Sequence, residues 1–178
     1  MSLPDFKPLY RKLKKEELVE TLDFAITRSH YLLASWMNTL LEKHPEVKEE
    51  LKAFMRERGR MMGEQLLAEI DPSIAWRRDA TTWWECYRRF LDPYVKGKIL
   101  GLKLVELTPT ICRFRFTHCA FIKGWAYATV NPEDMCEILK ETERGLAEAI
   151  NPNLELVEFY PGLARFEPYC QLTIKLKQ

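Results

Sequence analysis

Gly101-Leu102-Lys103-Leu104-Val105-Glu106-Leu107-Thr108-Pro109-Thr110-Ile111-Cys112-Arg113-Phe114-Arg115-Phe116-Thr117 is the stretch that decides the fold. Upstream of Gly101 the apolar residues recur at three- and four-residue steps, as on one face of a helix. From Gly101 the period drops to two, as on a strand. Thr108-Pro109-Thr110 supplies the turn between two such runs. In 111–117, Cys112, Phe114 and Phe116 share one face and Arg113 and Arg115 the other, so one side of a sheet is apolar and the other charged.

Toward the N-terminus, Leu18, Leu22, Ala25, Ile26, Leu32, Leu33, Trp36, Met37, Leu40 and Leu41 mark a long amphipathic helix over 16–42. His44-Pro45 interrupts the pattern, with Pro45 suited to the first turn of the next helix. Val47, Leu51, Phe54, Met55, Met61, Met62, Leu66 and Ile70 then carry the period to Asp71-Pro72. Two long helices with a short connection predict an antiparallel hairpin. Gly59 and Gly63 inside the second mark a bend or a close helix contact. Asp79 is the expected N-cap of a shorter helix bearing Trp83, Trp84, Tyr87, Phe90 and Leu91, closed by Asp92-Pro93.

Toward the C-terminus, Thr117 is suited to cap a helix reaching Tyr127. Asn131-Pro132-Glu133-Asp134 opens another with a cap, a first-turn proline and acids near the positive end. Met135, Ile138, Leu139, Thr142, Leu146 and Ile150 form its inner stripe. Strands over 154–159 and 169–176 finish the chain, the last with Cys170, Leu172, Ile174 and Leu176 on one face. The class is therefore α+β: an N-terminal helical hairpin packed with an antiparallel sheet and further helices. The chain reads as a single domain over 1–178, with a helical hairpin region at 1–72 and a sheet-containing region at 97–178 that carries the candidate site.

Composition narrows the function. The 178 residues are 47% hydrophobic and 30% charged, with a formal net charge of +1. That balance gives no electrostatic case for nucleic acid or an anionic membrane. No apolar run approaches the roughly 20 residues of a membrane span. Met1-Ser2-Leu3-Pro4-Asp5-Phe6 lacks the apolar block of a signal peptide, so a cytoplasmic location is expected. Cys86, Cys112, Cys119, Cys136 and Cys170 are odd in number and widely spaced, a poor framework for disulfides or structural zinc. No GxGxxG, GxxxxGK, GxSxG or HExxH motif is present, and no cofactor or metal is expected.

Cys119 is the sharpest candidate for chemistry. Near the start of a helix capped by Thr117, and beside His118, its thiol is expected to ionise more readily than a free one. Packing under the sheet is the plain alternative. Cys170 lies on the apolar face of its strand and gains interest if it shares a cavity with Cys119. Glu143 is midway along the 131–150 helix, on nearly the same face as Cys136, and as a helical carboxylate it is expected to be solvated. Arg113 and Arg115 suit a substrate carboxylate or an exposed sheet face equally. Trp83, Trp84 and Phe90 suit the floor of a pocket, though an aromatic stripe at helical spacing is more often core, and His30 reads as a structural polar residue.

Phe116 to Gln178 resembles the C-terminal part of the L-2-amino-thiazoline-4-carboxylic acid hydrolase-like family. The matching features are a strand running into Thr117-His118-Cys119, a helix bearing the acid Glu143, Asn151-Pro152 leading into a strand through Leu156, and Tyr169-Cys170 ahead of the last strand. Where that family often has a further cysteine, this chain has Lys140, with Cys136 about one turn earlier. The resemblance implies a small cyclic thiazoline carboxylate as substrate. Cys119 or water would add to the carbon between nitrogen and sulfur, the ring C–S bond would break, and the sulfur would leave as a thiolate. Glu143 or His118 would move the proton, and Cys170, Arg113 and Arg115 would contact the substrate. The alternative is a non-catalytic binding or sensor domain for an apolar ligand, haem or metal, with Cys119 and Cys170 lining its pocket. A third reading is an interaction module forming a homodimer through the N-terminal helices.

Overall fold

The computed structural model describes residues 14–128 and 131–177. The reading of Met1 to Phe6 lies outside the described residues. The elements in chain order are α1 (Lys15–Lys43), α2 (Val47–Glu69), α3 (Pro72–Ala75), α4 (Ala80–Lys96), β1 (Leu100–Thr108), β2 (Ile111–Cys119), α5 (Ala120–Tyr127), α6 (Pro132–Ile150), β3 (Leu154–Tyr160), a 3-10 turn (Gly162–Arg165) and β4 (Cys170–Leu176). The four strands form one antiparallel sheet in the order β1-β2-β4-β3. The class is α+β, as the change of period at Gly101 predicts.

Local chemistry sets the boundaries. Thr108 Oγ1 accepts hydrogen bonds from the Thr110 and Ile111 N–H groups and closes the β1–β2 turn. The Asp79 carboxylate accepts from the N–H groups of Thr81 and Thr82, and Asn131 Oδ1 accepts from that of Glu133; both act as N-caps. Pro93 does not end α4, which continues to Lys96. Pro45 stands in the turn just before α2 rather than in its first turn. Thr117 is an exposed strand residue, and Cys119 itself occupies the N-cap of α5.

The inner face of the sheet is where Cys112, Phe114, Leu172 and Ile174 are buried, against Trp83, Trp84, Tyr87 and Leu91 of α4 and Leu146, Ala147 and Ile150 of α6. The two long helices do not pack along each other. α1 and α2 barely touch; α2 lies along α6, and α1 lies on α5. Glycines explain the first pairing. A Cβ at Gly59 would stand 2.1 Å from the Thr142 carbonyl oxygen, and one at Gly145 only 1.9 Å from that of Arg56. The backbones of α2 and α6 are therefore in contact, and α1 is left to dock elsewhere. It does so through Ala34 and Met37, which join Trp125, Ala128, Met135, Cys136 and Ala164 in a second, smaller core. Phe24, Leu32 and Trp36 of α1 remain exposed. No helix among the described residues is long and apolar enough to cross a membrane.

Candidate functional site

β2 ends and α5 begins at Cys119, and this corner, with α4, α6 and β4, surrounds a chamber of about 240 Å³. Phe116, Phe121, Ile122, Trp125, Leu139 and Phe159 form much of its wall. Cys119, Cys136, Cys170, Thr142 and Glu143 also line it. Lys140 is its only cation among the described residues. The Lys140 ammonium pairs with Glu137 and lies 5.2 Å from the centre of the Phe159 ring, so its charge is already compensated.

The structure thus brings Cys119, Cys170 and Glu143 to one cavity, together with Cys136, which sequence reading sets one turn too early for the family position. Helix geometry explains the last: Cys136, Leu139, Lys140 and Glu143 follow each other at three- and four-residue steps, on one face of α6. Tyr87 and Thr142 enter the sequence reading only as members of helical stripes, with no role at a site. Both border the chamber, and Tyr87 Oη donates to Glu143 Oε1 at 2.7 Å. That contact joins residues 56 positions apart and leaves no local signal in the sequence.

Three of the expected site residues lie elsewhere. His118 alternates to the opposite side of β2 from Cys119, its Nε2 3.7 Å from Asp23, in a separate groove also lined by Lys98, Lys123 and Tyr127. Neighbouring strand residues face opposite ways, so His118 and Cys119 cannot act as a pair. Arg113 and Arg115 occupy the outer face of the sheet. Arg113 donates to Glu106 at 2.8 Å and to Thr173 Oγ1 at 3.3 Å, while Arg115 donates to Gln171 at 2.8 Å and stacks 4.0 Å from the Tyr169 ring centre. None of the three lines the chamber. His30 is structural as expected, with its ring 4.3 Å from that of Phe121 and its Nδ1 accepting from Trp125 Nε1.

The electrostatics of the chamber invert the expectation for Cys119. Backbone N–H groups of Ile122 and Phe121 do favour its thiolate, but burial outweighs them and the thiol is pushed up to about 11. Burial also pushes up Cys136 and Cys170, and Cys136 is raised further by its two cysteine neighbours. At pH 7 a thiol with such a pKa is ionised only about once in 10⁴ molecules. Glu143, which its helical position leads one to expect in solvent, is enclosed. Burial raises its carboxyl to about 7, against the opposing hydrogen bond from Tyr87. The result is a neutral, weakly polar room with one carboxyl poised near neutrality. Among the described residues, no group of three or more Cys, His, Asp or Glu is arranged to hold a metal ion.

Neither a protein-family model nor a curated protein matches the sequence. Among solved structures, a trafficking protein particle complex subunit 3 from Naegleria fowleri, covalently bound to palmitic acid, is similar with a TM-score of 0.48 and 11% identity. The match covers 84% of this chain and 96% of that one, a likeness too loose to define a shared fold.

Proposed function

We propose that this chain is a binding domain for a small, largely apolar molecule held in the chamber between α4, α5, α6 and the inner face of the sheet. One observation carries the reading: a chamber of about 240 Å³ walled by aromatic and aliphatic side chains and by thiols held un-ionised. An apolar cavity of about 150 Å³ stays dry and takes up benzene. A larger one of the same character favours a compact hydrocarbon-rich guest, near the lower end of the roughly 300–1,000 Å³ typical of ligand pockets. Cys119 is the least buried of the five cysteines by exposed surface, and it lines this cavity. A guest therefore shields it.

The test is alkylation of the free thiols at pH 8 with and without toluene. Cys119 reacts before Cys86, Cys112, Cys136 and Cys170, slowly, and toluene retards it. Leu139→Trp, which fills the chamber, removes the toluene effect. Unretarded alkylation of Cys119 in the presence of saturating toluene contradicts the reading.

A hydrolytic use of the same chamber is the second reading, favoured by the convergence of Cys119, Cys170 and Glu143 on it. A protonated Glu143 is suited to deliver the proton to a departing ring sulfur. The scarcity of thiolate at Cys119 and the compensated charge of Lys140 weigh on the side of binding. Ring opening of L-2-amino-thiazoline-4-carboxylate that is lost in both Cys119→Ser and Glu143→Gln would turn the balance toward hydrolysis. As for partners, a homodimer through the N-terminal helices would cover Phe24, Leu32 and Trp36. Sedimentation of wild type and Trp36→Glu tests that contact.

A further inference from the structure

Burying a polar atom without a partner costs free energy, so natural proteins leave few of them, and each calls for an explanation. Among the described residues four side-chain atoms are buried with no hydrogen-bond partner: Thr27 Oγ1, Trp83 Nε1, Thr142 Oγ1 and Glu143 Oε2. Two of the four belong to consecutive residues of α6, and both of those residues line the one apolar chamber. Elsewhere α6 satisfies its acids: Glu141 pairs with Arg144 and Arg56, Glu137 with Lys140, and Glu148 with Arg56. Among side chains Glu143 receives the Tyr87 hydroxyl, on Oε1; its own backbone N–H also favours the charged form, and Oε2 is left without a partner.

We infer that the guest of this chamber carries a neutral hydroxyl head, which seats between Thr142 Oγ1 and Glu143 Oε2 while its hydrocarbon body lies among Phe116, Phe121, Trp125 and Phe159. The inference rests on the apolar-guest reading and names the chemistry of the guest. A hydroxyl both donates and accepts, which is what this pair of atoms requires. With Glu143 protonated, the carboxyl donates to the guest oxygen and the guest donates to Thr142. With Glu143 ionised, the guest donates to the carboxylate and accepts from the Thr142 hydroxyl. The head is therefore satisfied in either state. Both oxygens are covered in this structure, and the seat forms when each side chain turns its oxygen toward the chamber.

A carboxylate head would stand against the Glu143 carboxyl, and Lys140, the only cation of the cavity wall among the described residues, is paired with Glu137. A hydrocarbon of the same shape would leave both oxygens unpaired. The site therefore discriminates by the penalty of leaving its own buried groups unsatisfied.

Benzyl alcohol and ethylbenzene have the same shape and differ by a hydroxyl in place of a methyl group; phenylacetate adds a charged head. Their dissociation constants are measured by NMR titration at pH 6 with wild type, Thr142→Val and Glu143→Gln. Wild type binds benzyl alcohol at least as tightly as ethylbenzene and phenylacetate more weakly than either. Thr142→Val weakens benzyl alcohol roughly 3–10-fold, the worth of one hydrogen bond, and leaves ethylbenzene within about twofold. Glu143→Gln keeps the shape and one acceptor and weakens benzyl alcohol by less. If ethylbenzene binds wild type tenfold or more tightly than benzyl alcohol, or if Thr142→Val weakens both guests equally, the hydroxyl head is overturned and the apolar chamber stands. If neither guest binds, both fall.

Discussion

The two faces of the sheet use the same kinds of residue to opposite ends. On the outer face Glu158 accepts from Thr173 and Gln171 and lies 3.9 Å from Arg113, and these partners hold its carboxyl below the ordinary range. On the inner side Glu143 has one side-chain hydrogen bond, from Tyr87, and an apolar enclosure, and its carboxyl rises to about 7. The arginines that sequence reading offered to a substrate are spent on the outer ladder, Arg113 on Glu106 and Thr173 and Arg115 on Gln171 and the Tyr169 ring. The thiols that reading expected to be reactive face inward, where burial keeps them protonated. Environment, more than residue type, separates the two faces.

The sharpest contrast in stability is between adjacent positions on β2. Phe114 has no exposed surface and packs against Trp83, Trp84, Tyr87 and Phe116. Phe114→Ala is expected to cost about 3–5 kcal/mol in denaturant unfolding. Arg115→Ala, one residue along and on the other face, is expected to cost less than about 1 kcal/mol. Equal losses would erase the distinction between the faces.

The second contrast is in pH dependence. The Glu143 carboxyl is raised from 4.5 to about 7, so the folded state holds a proton that the unfolded state has released. Its stabilising contribution is fully present below about pH 4.5 and is lost as pH rises through about 7. The full difference is about 3 kcal/mol at roughly 1.36 kcal/mol per pK unit. Unfolding free energies measured from pH 5 to 8 are expected to fall in the wild type, and the slope to flatten in Glu143→Gln. Glu158 has the opposite sign: its contribution is present above its unfolded value and fades as pH falls. Because its side chain is about 42% exposed, Glu158→Gln is expected to cost less than about 1 kcal/mol, and less again at high salt.

Sequence pattern conveyed the elements and the class because both depend on local period and local caps. The Gly101 switch, the Thr108-Pro109-Thr110 turn and the Asp79 and Asn131 caps all lie where that logic puts them. It also separated Cys112, Phe114 and Phe116 from Arg113 and Arg115, since alternation on a strand is fixed by the backbone. What pattern could not convey was which helix packs on which. A hairpin between α1 and α2 follows from a short connection, and Gly59 and Gly63 mark a close helix contact, yet nothing periodic says that the contact is made with α6, where Gly145 meets α2. The site was legible in part for the same reason. Cys119, Cys170 and Glu143 were named and do share a cavity, but Tyr87 reaches Glu143 from a distant helix. His118 was placed with Cys119 through adjacency alone, whereas strand geometry sends the two apart. The Cys119 thiol was misjudged because a helix N-terminus is visible in sequence and burial at that point is not.

The central claim is that the chamber on the inner side of the sheet, and not the exposed face of α1, receives an apolar guest. Methyl NMR with toluene tests it most directly. The account predicts saturable shifts at the methyl groups of Ile122, Leu139 and Leu172, abolished by Leu139→Trp at the two remaining reporters. Shifts confined to Leu18, Leu32 and Leu33 of α1, with those three chamber residues unmoved, would contradict it.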